Sequence, residues 1–261
     1  MSNGIVIYRG PSVLDGSPIV VIATGLGSGS SNRKTGALVQ TWILREDVSP
    51  IDAIQSGSDV SICGACPHRG RVEDGRNVGR SCYVNVGQAP LNVWRTYHRV
   101  PLANGKPRSG YPEARPDELS AIFAGRLVRL GSYGDPAAVP VWVWQAVMAQ
   151  ADGGTGYTHQ WKDAAPELAQ WCMASCDSEA DRVFAKFLGY RTFRVTAQDS
   201  RTDRGEREVI CPASDEAGKV TLCAACKACG GLSAKAKADI VITVHGPTYA
   251  KANGRRNLAN V

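Results

Sequence analysis

The 261-residue sequence contains no apolar run of the about 18–20 residues that a membrane-spanning helix requires. No charged-then-apolar leader opens it, and its nine cysteines are odd in number and too sparse for a disulfide-dense miniprotein. Both absences argue against an oxidising compartment and for a reducing cytoplasm. No near-identical repeat recurs, and the composition is that of neither a disordered, a collagenous nor a coiled-coil chain. Two nucleotide-binding motifs also fail. A phosphate loop ending at Lys34-Thr35 would need glycine where Ser28 and Arg33 stand, and a dinucleotide fingerprint from Gly25 would need Gly or Ala at Ser30. The Gly- and Ser-rich stretch 25–34 therefore reads as a plain loop.

What is present is a globular composition, 43% hydrophobic, with 30 Lys+Arg against 24 Asp+Glu. The net charge of +6 permits a polyanionic partner without demanding one. From about residue 58, short apolar runs alternate with amphipathic segments, the pattern of parallel βα units. Strands are expected at 59–62, 126–130, 155–159, 171–174, 192–196, 208–210 and 239–244, and helices at 89–98, 116–124, 136–150, 164–170 and 178–188. The fold class expected is α/β, a partial or complete parallel (β/α) barrel. Residues 1–57 form an N-terminal β extension, 58–250 the barrel-like core, and 251–261 a basic tail. Parallel strands place their carboxyl ends on one rim, which brings Asp135, His159, Asp177 and His245 together as candidate catalytic groups. Asp135 and Asp177 also stand where they could simply cap the helices that follow.

Seven of the nine cysteines fall into two groups. Cys223-x2-Cys226-x2-Cys229, with Cys211-Pro212 twelve residues upstream of the first, places three thiols within seven residues. That is awkward for one tetrahedral zinc and natural around a cubane, with the distant Cys-Pro as fourth ligand. Zinc and unliganded thiols are the alternatives. Cys63-x2-Cys66 is followed by Cys82 across a loop carrying His68, Arg69, Arg71, Arg76 and Arg80. Three thiols leave one metal position open, which His68 could fill. The arginines suit a solvated loop, an anionic thiolate cluster or a phosphate-bearing partner. Cys172 reads as a packing thiol, and Cys176 sits nearer the expected rim.

Taken in order, these residues resemble a known family. Cys63, Cys66, Ser81-Cys82-Tyr83, Leu130-Gly131-Ser132-Tyr133-Gly134-Asp135, Tyr157-Thr158-His159, Ala174-Ser175 with Asp177, Ile210-Cys211-Pro212, the Cys223/Cys226/Cys229 run and the strand ending at His245 resemble the bacteriophage "gene product 88" family over residues 60–246. That family is in turn similar to radical S-adenosylmethionine enzymes. The resemblance implies a host bacterial cytoplasm, a partial parallel barrel, one or two [4Fe–4S] clusters and, at an open iron, S-adenosylmethionine. Two departures stand out: fifteen residues separate Cys66 from Cys82 where radical enzymes use one tight C-x3-C-x2-C loop, and no Gly-Gly-Glu segment follows the early strands.

The expectation is thus an iron–sulfur protein, a redox or radical enzyme working with a small molecule or an electron donor. Simple electron transfer is a further possibility. The alternative is a non-catalytic protein stapled by iron–sulfur or zinc that binds nucleic acid, using the positive balance, the arginine-rich loop from Arg69 to Arg80 and the basic-aromatic run from Trp94 to Arg99. Leu91, Trp94 and Tyr97 equally form a buried helical stripe.

Overall fold

The computed structural model describes residues 2–28, 34–99, 110–218 and 221–244. His245 and the tail 251–261 lie outside the described residues, as does part of the 25–34 loop. The chain opens with β1 (Gly4–Pro11), β2 (Pro18–Thr24) and β3 (Val39–Arg45). Then come α1 (Pro50–Ser56), α2 (Val60–Cys63), a hairpin of β4 (Arg71–Glu73) and β5 (Arg76–Val78), α3 (Ala89–Tyr97) and α4 (Leu119–Phe123). The remainder runs β6 (Val128–Tyr133), α5 (Val141–Met148), β7 (Gly154–Thr158), β8 (Met173–Cys176), α6 (Glu179–Phe187), β9 (Thr192–Thr196), β10 (Glu208–Ile210), α7 (Cys223–Cys226) and β11 (Asp239–Thr243).

Nine strands form one sheet in the order β1-β2-β3-β6-β7-β8-β9-β11-β10. The first three pair antiparallel and every later pair is parallel, so the protein is α/β with a mostly parallel sheet after an antiparallel start. Ile19 to Ala23 in β2 are fully buried, which explains why that strand is a continuous apolar run and does not alternate. Strand order rises steadily from β1 to β9 and reverses only at β11 and β10. Crossovers of one hand in such an order lie on one face of the sheet, unlike the two-faced doubly wound fold.

Alternation along the strands divides the residues between the two faces. Val128 and Leu130 of β6 pack in one cluster with Val143, Trp144 and Val147 of α5, while Ala174 and Cys176 of β8 pack with Ala185 of α6 and with Tyr190. Met173 points the other way, into a cluster with Ala228, Cys229 and Ile240, flanked by Tyr157, Phe193, Cys211 and Cys226. One face thus carries the crossover helices and the other the C-terminal cysteine segment. The packed Cys172 and Cys176 are 0% and 1% exposed, which makes both of them core thiols.

The structure corrects three expected elements. Residues 59–62, expected as a strand, form α2: Ser61 and Ile62 are buried side by side while Val60 is exposed, and the backbone closes locally through Cys63 N–H to Asp59 and Gly64 N–H to Val60. The helix expected over 136–150 is interrupted. Pro140 drives Val139 into an extended conformation (φ −106°, ψ 137°), leaving a 3₁₀ turn at Pro136–Ala138 before α5. The helix expected at 164–170 is only a 3₁₀ turn, Pro166–Gln170. No helix among the described residues is long and apolar enough to cross a membrane.

Candidate metal centre

The Cys63-x2-Cys66 turn is laid over the carboxyl ends of two strands. The Asp135 N–H, just past β6, donates to the Ile62 carbonyl at 2.6 Å. Gln160, just past β7, clamps the turn from the other side: its amide nitrogen donates to the Cys63 carbonyl and its oxygen accepts from the Ala65 N–H, both at 3.0 Å. Gly64 sits at φ 55°, ψ −135°, and a Cβ there would overlap the Gln160 carboxamide. Beside this turn opens a mostly apolar cavity of about 720 Å³, bordered by Leu14, Ala65, Val141 and Leu168.

From Cys66 a 3₁₀ turn, Pro67–Arg69, leads into the β4–β5 hairpin. At the hairpin's exit the N–H groups of Ser81 and Cys82 both donate to the His68 carbonyl, at 3.1 and 3.0 Å. The fifteen intervening residues are therefore a closed excursion that returns Cys82 to Cys66. The three thiols influence one another: burial pushes the Cys63 thiol well up, and Asp59, Cys66, Cys82 and Asp135 push it further. Burial also raises Cys82, against the Arg80 guanidinium beside it. Arg80 spends its two outer nitrogens on the carbonyls of Cys82 and Val84, at 3.3 and 3.2 Å, while its buried Nε has no partner among the described residues. The Tyr133 hydroxyl is likewise buried and without a partner; its ionisation is suppressed first by burial and then by the nearby Cys63.

Of the four expected rim residues, the structure brings Asp135, His159 and Asp177 to one edge; His245 is outside the described residues. Asp135 is 7% exposed and serves the backbone, one oxygen capping the Ala137 N–H at 3.0 Å and the other accepting from His159 N–H at 2.8 Å. Its carboxyl is raised by burial. His159 and Asp177 extend from β7 and β8 and meet His68, which the sequence offered as a fourth ligand beside Cys63, Cys66 and Cys82 and not as a partner of these two. His68 Nε2 lies 2.8 Å from one Asp177 oxygen and His159 Nε2 3.5 Å from the other. Burial lowers the His159 imidazole, but Asp177 and the Cys66 thiol outweigh it and raise the ring to about 10. Asp177 is held far below the usual carboxylate range: burial raises it, and the two imidazoles overcome that. Among the described residues, this is the one group of three His, Cys, Asp or Glu side chains whose ligand atoms all lie within 4.8 Å of one another.

The C-terminal thiols form a second group on the cysteine face. Cys211 N–H donates to the β11 carbonyl of Val241, and Cys223 and Ala224 N–H groups donate to Lys34 and Thr35. The buried Cys229 accepts from Gly156 N–H through its carbonyl at 3.1 Å. Arg191, 5% exposed, staples this segment by donating to the carbonyls of Ala228, Gly231 and Ala238. Burial pushes Cys229 up to about 12, with Tyr157 opposing and Cys211, Cys223 and Cys226 reinforcing. Burial raises Cys223 too, opposed by Arg129 and Lys34. Arg129 donates to the Tyr83 hydroxyl at 2.9 Å, so a single guanidinium links the residue after Cys82 to the C-terminal thiols.

The basic-aromatic helix is engaged elsewhere. Trp94 Nε1 donates to the Arg45 carbonyl at 3.1 Å and the Tyr97 hydroxyl to Glu46 at 2.7 Å, which fastens α3 to the end of β3. Gln160, Arg129 and Arg191 were missed in the sequence, and Tyr133 entered it only as part of the 130–135 strand-end motif; Gln160 carried a signal in its place directly after an expected strand end. No family model matches this chain, and no curated protein or solved structure is significantly similar to it.

Proposed function

We propose that the chain is an iron–sulfur protein on a partial parallel (β/α)-barrel scaffold, working as a redox or radical enzyme on a small molecule. Cys63, Cys66 and Cys82 would hold one cubane with an iron left open, and Cys211, Cys223, Cys226 and Cys229 a second with every iron protein-bound. What supports this reading is that the hairpin closes on the His68 carbonyl, so that Cys82 returns beside the Cys66 turn, and that Cys211, Cys226 and Cys229 pack in one cluster around Met173.

The donor set fits. All seven candidate ligands are thiols, the usual ligand of iron–sulfur clusters. Sulfurs around one tetrahedral zinc sit about 3.8 Å apart, given Zn–S bonds of about 2.3 Å. The described thiols form no triplet within 4.8 Å, so they are not drawn up around one zinc ion. Arg80 and Arg129 set positive charge against the thiols they adjoin, and the Tyr133 hydroxyl has a hydrogen bond left to give. A bound cluster supplies one-electron chemistry, and the resemblance adds S-adenosylmethionine as the small molecule at the open iron. The chain's own part is positional: Gln160 fixes the thiol turn, Asp135 fixes the His159 backbone, and the neighbouring cavity gives a small substrate room. Steadily rising strand order supports the partial barrel.

Anaerobic reconstitution with iron and sulfide analysis tests the proposal. Two cubanes correspond to about eight irons per chain. Cys223→Ala should remove about half of them and leave the Cys63 group loaded. Fewer than about four irons, or zinc in their place, would end the reading.

A further inference from the structure

The geometry points to a separate mononuclear site for a divalent first-row transition ion, held by His68, His159 and Asp177. None of its ligands is a cysteine, although the Cys66 thiol of the proposed cluster hydrogen-bonds His159 and so borders the site.

Two imidazole nitrogens and one carboxylate converge from three elements that share no local sequence. The separations of 2.8 and 3.5 Å run to the two different oxygens of Asp177, and one donor atom from each residue lies within 4.8 Å of the others, against the about 3.3 Å expected between donors bound at about 2.0–2.1 Å around a tetrahedral ion. The three side chains are therefore gathered at one point, and an ion would enter by replacing the direct His68–Asp177 contact and drawing the donors onto itself. The outer ring nitrogen of His68 is engaged by the Ser81 hydroxyl at 2.8 Å, the arrangement that fixes a ligating histidine and leaves Nε2 to the metal. His159 is steadied through its backbone by Asp135, and the His68 carbonyl is pinned by two N–H groups from the hairpin exit. Side-chain exposures of 29%, 21% and 31% leave the group reachable from solvent, so an ion has both an entry path and open positions for water or substrate.

The donor set selects the class of ion. Imidazole nitrogens disfavour magnesium and calcium, which take oxygen ligands, and suit Zn²⁺, Fe²⁺ or Co²⁺. Two histidines and one carboxylate on one side of an ion form the open-faced arrangement used by non-haem iron sites.

Co²⁺ is the probe, added to the anaerobically purified full-length chain with whatever iron and sulfide it carries. Elemental analysis after dialysis should find one cobalt per chain, and cobalt-edge X-ray absorption should show a nitrogen and oxygen shell with imidazole scattering and no sulfur. Asp177→Asn, which keeps the side-chain shape, and His68→Ala should each weaken cobalt binding more than the about 10- to 100-fold typical of losing an outer-shell partner. Ser81→Ala should fall within that smaller range. Cys223→Ala should leave cobalt binding unchanged, and Asp177→Asn should leave iron and sulfide unchanged, which separates this site from the proposed clusters. Sulfur in the cobalt shell of the unaltered chain, the absence of bound cobalt, or wild-type affinity in both ligand variants would overturn the assignment. A chain that takes cobalt here but never iron and sulfide would instead sink the cluster reading alone.

Discussion

Replacing Gly64 with alanine tests how the Cys63 turn is held, because its cost has two separable parts. At φ 55° and ψ −135° a side chain is strained whatever the surrounding space, which costs about 1–3 kcal/mol. The new Cβ would also displace the Gln160 carboxamide, forfeiting its two 3.0 Å bonds to Cys63 and Ala65 at about 0.5–1.5 kcal/mol each. Gly64→Ala should therefore cost about 2–6 kcal/mol in all, and Gln160→Ala alone about 1–3 kcal/mol. The double variant loses the same two bonds only once, so it should be no less stable than Gly64→Ala by itself. Urea unfolding of the four proteins gives the coupling directly, expected at about 1–3 kcal/mol of non-additivity. Amide exchange at Ala65 should quicken in every variant that frees Gln160. Additivity to within about 0.5 kcal/mol would refute the clamp.

Other outcomes follow from neighbouring features. Arg194 and Glu208 are 5% and 0% exposed and joined at 2.7 Å, so Arg194→Met strands a buried carboxylate and should cost about 3–5 kcal/mol. Adding Glu208→Leu should recover most of that loss, and no recovery would mean the arginine acts through packing. The Asp203 carboxyl is held below its ordinary value first by the Thr196 hydroxyl and then by Arg194. Its stabilising contribution is thus full above the ordinary carboxylate pKa of about 3.9 and is lost as pH falls through the lowered value. Asp203→Asn should flatten the acid limb of a stability-against-pH curve, and an unchanged limb would count against the contact. Cys172→Ala and Cys176→Ala, both in packed cores, should lower the melting temperature while leaving iron and sulfide content untouched. Loss of iron in either would assign that thiol a ligand role.

Legibility in the sequence followed locality. The β-branched, sharply bounded runs 192–196 and 208–210 match β9 and β10, and 239–244 overruns β11 by one residue. Proline and serine signals likewise placed α3 and α6 to within one residue, while the helix expected at 116–124 is a 3₁₀ turn at Pro116–Glu118 followed by α4. Residues 59–62 misled because Val60 and Ile62 imitate strand alternation while the chain there turns on itself. The hairpin left no apolar trace, since β4 is fully exposed and largely charged. Close cysteine spacings were readable, but the meeting of His68 with Asp177 spans 109 residues and depends on the hairpin base and the end of β8 arriving together. No periodicity records such an encounter. Arg191 was equally silent, because its three carbonyl partners exist only once residues 228–238 have folded over the sheet.

The excursion between Cys66 and Cys82 makes chain spacing a poor definition of this motif. With its neck tied at the His68 carbonyl and its tip at Asp74-Gly75 facing solvent, the loop can lengthen or shorten without shifting the residues at either end. A pattern written with a fixed gap between the second and third cysteine would overlook relatives carrying a longer or shorter finger. One written around a Cys-x-His turn meeting a Ser-Cys-Tyr segment would find them. The same tip is a natural position for a purification tag or fluorophore.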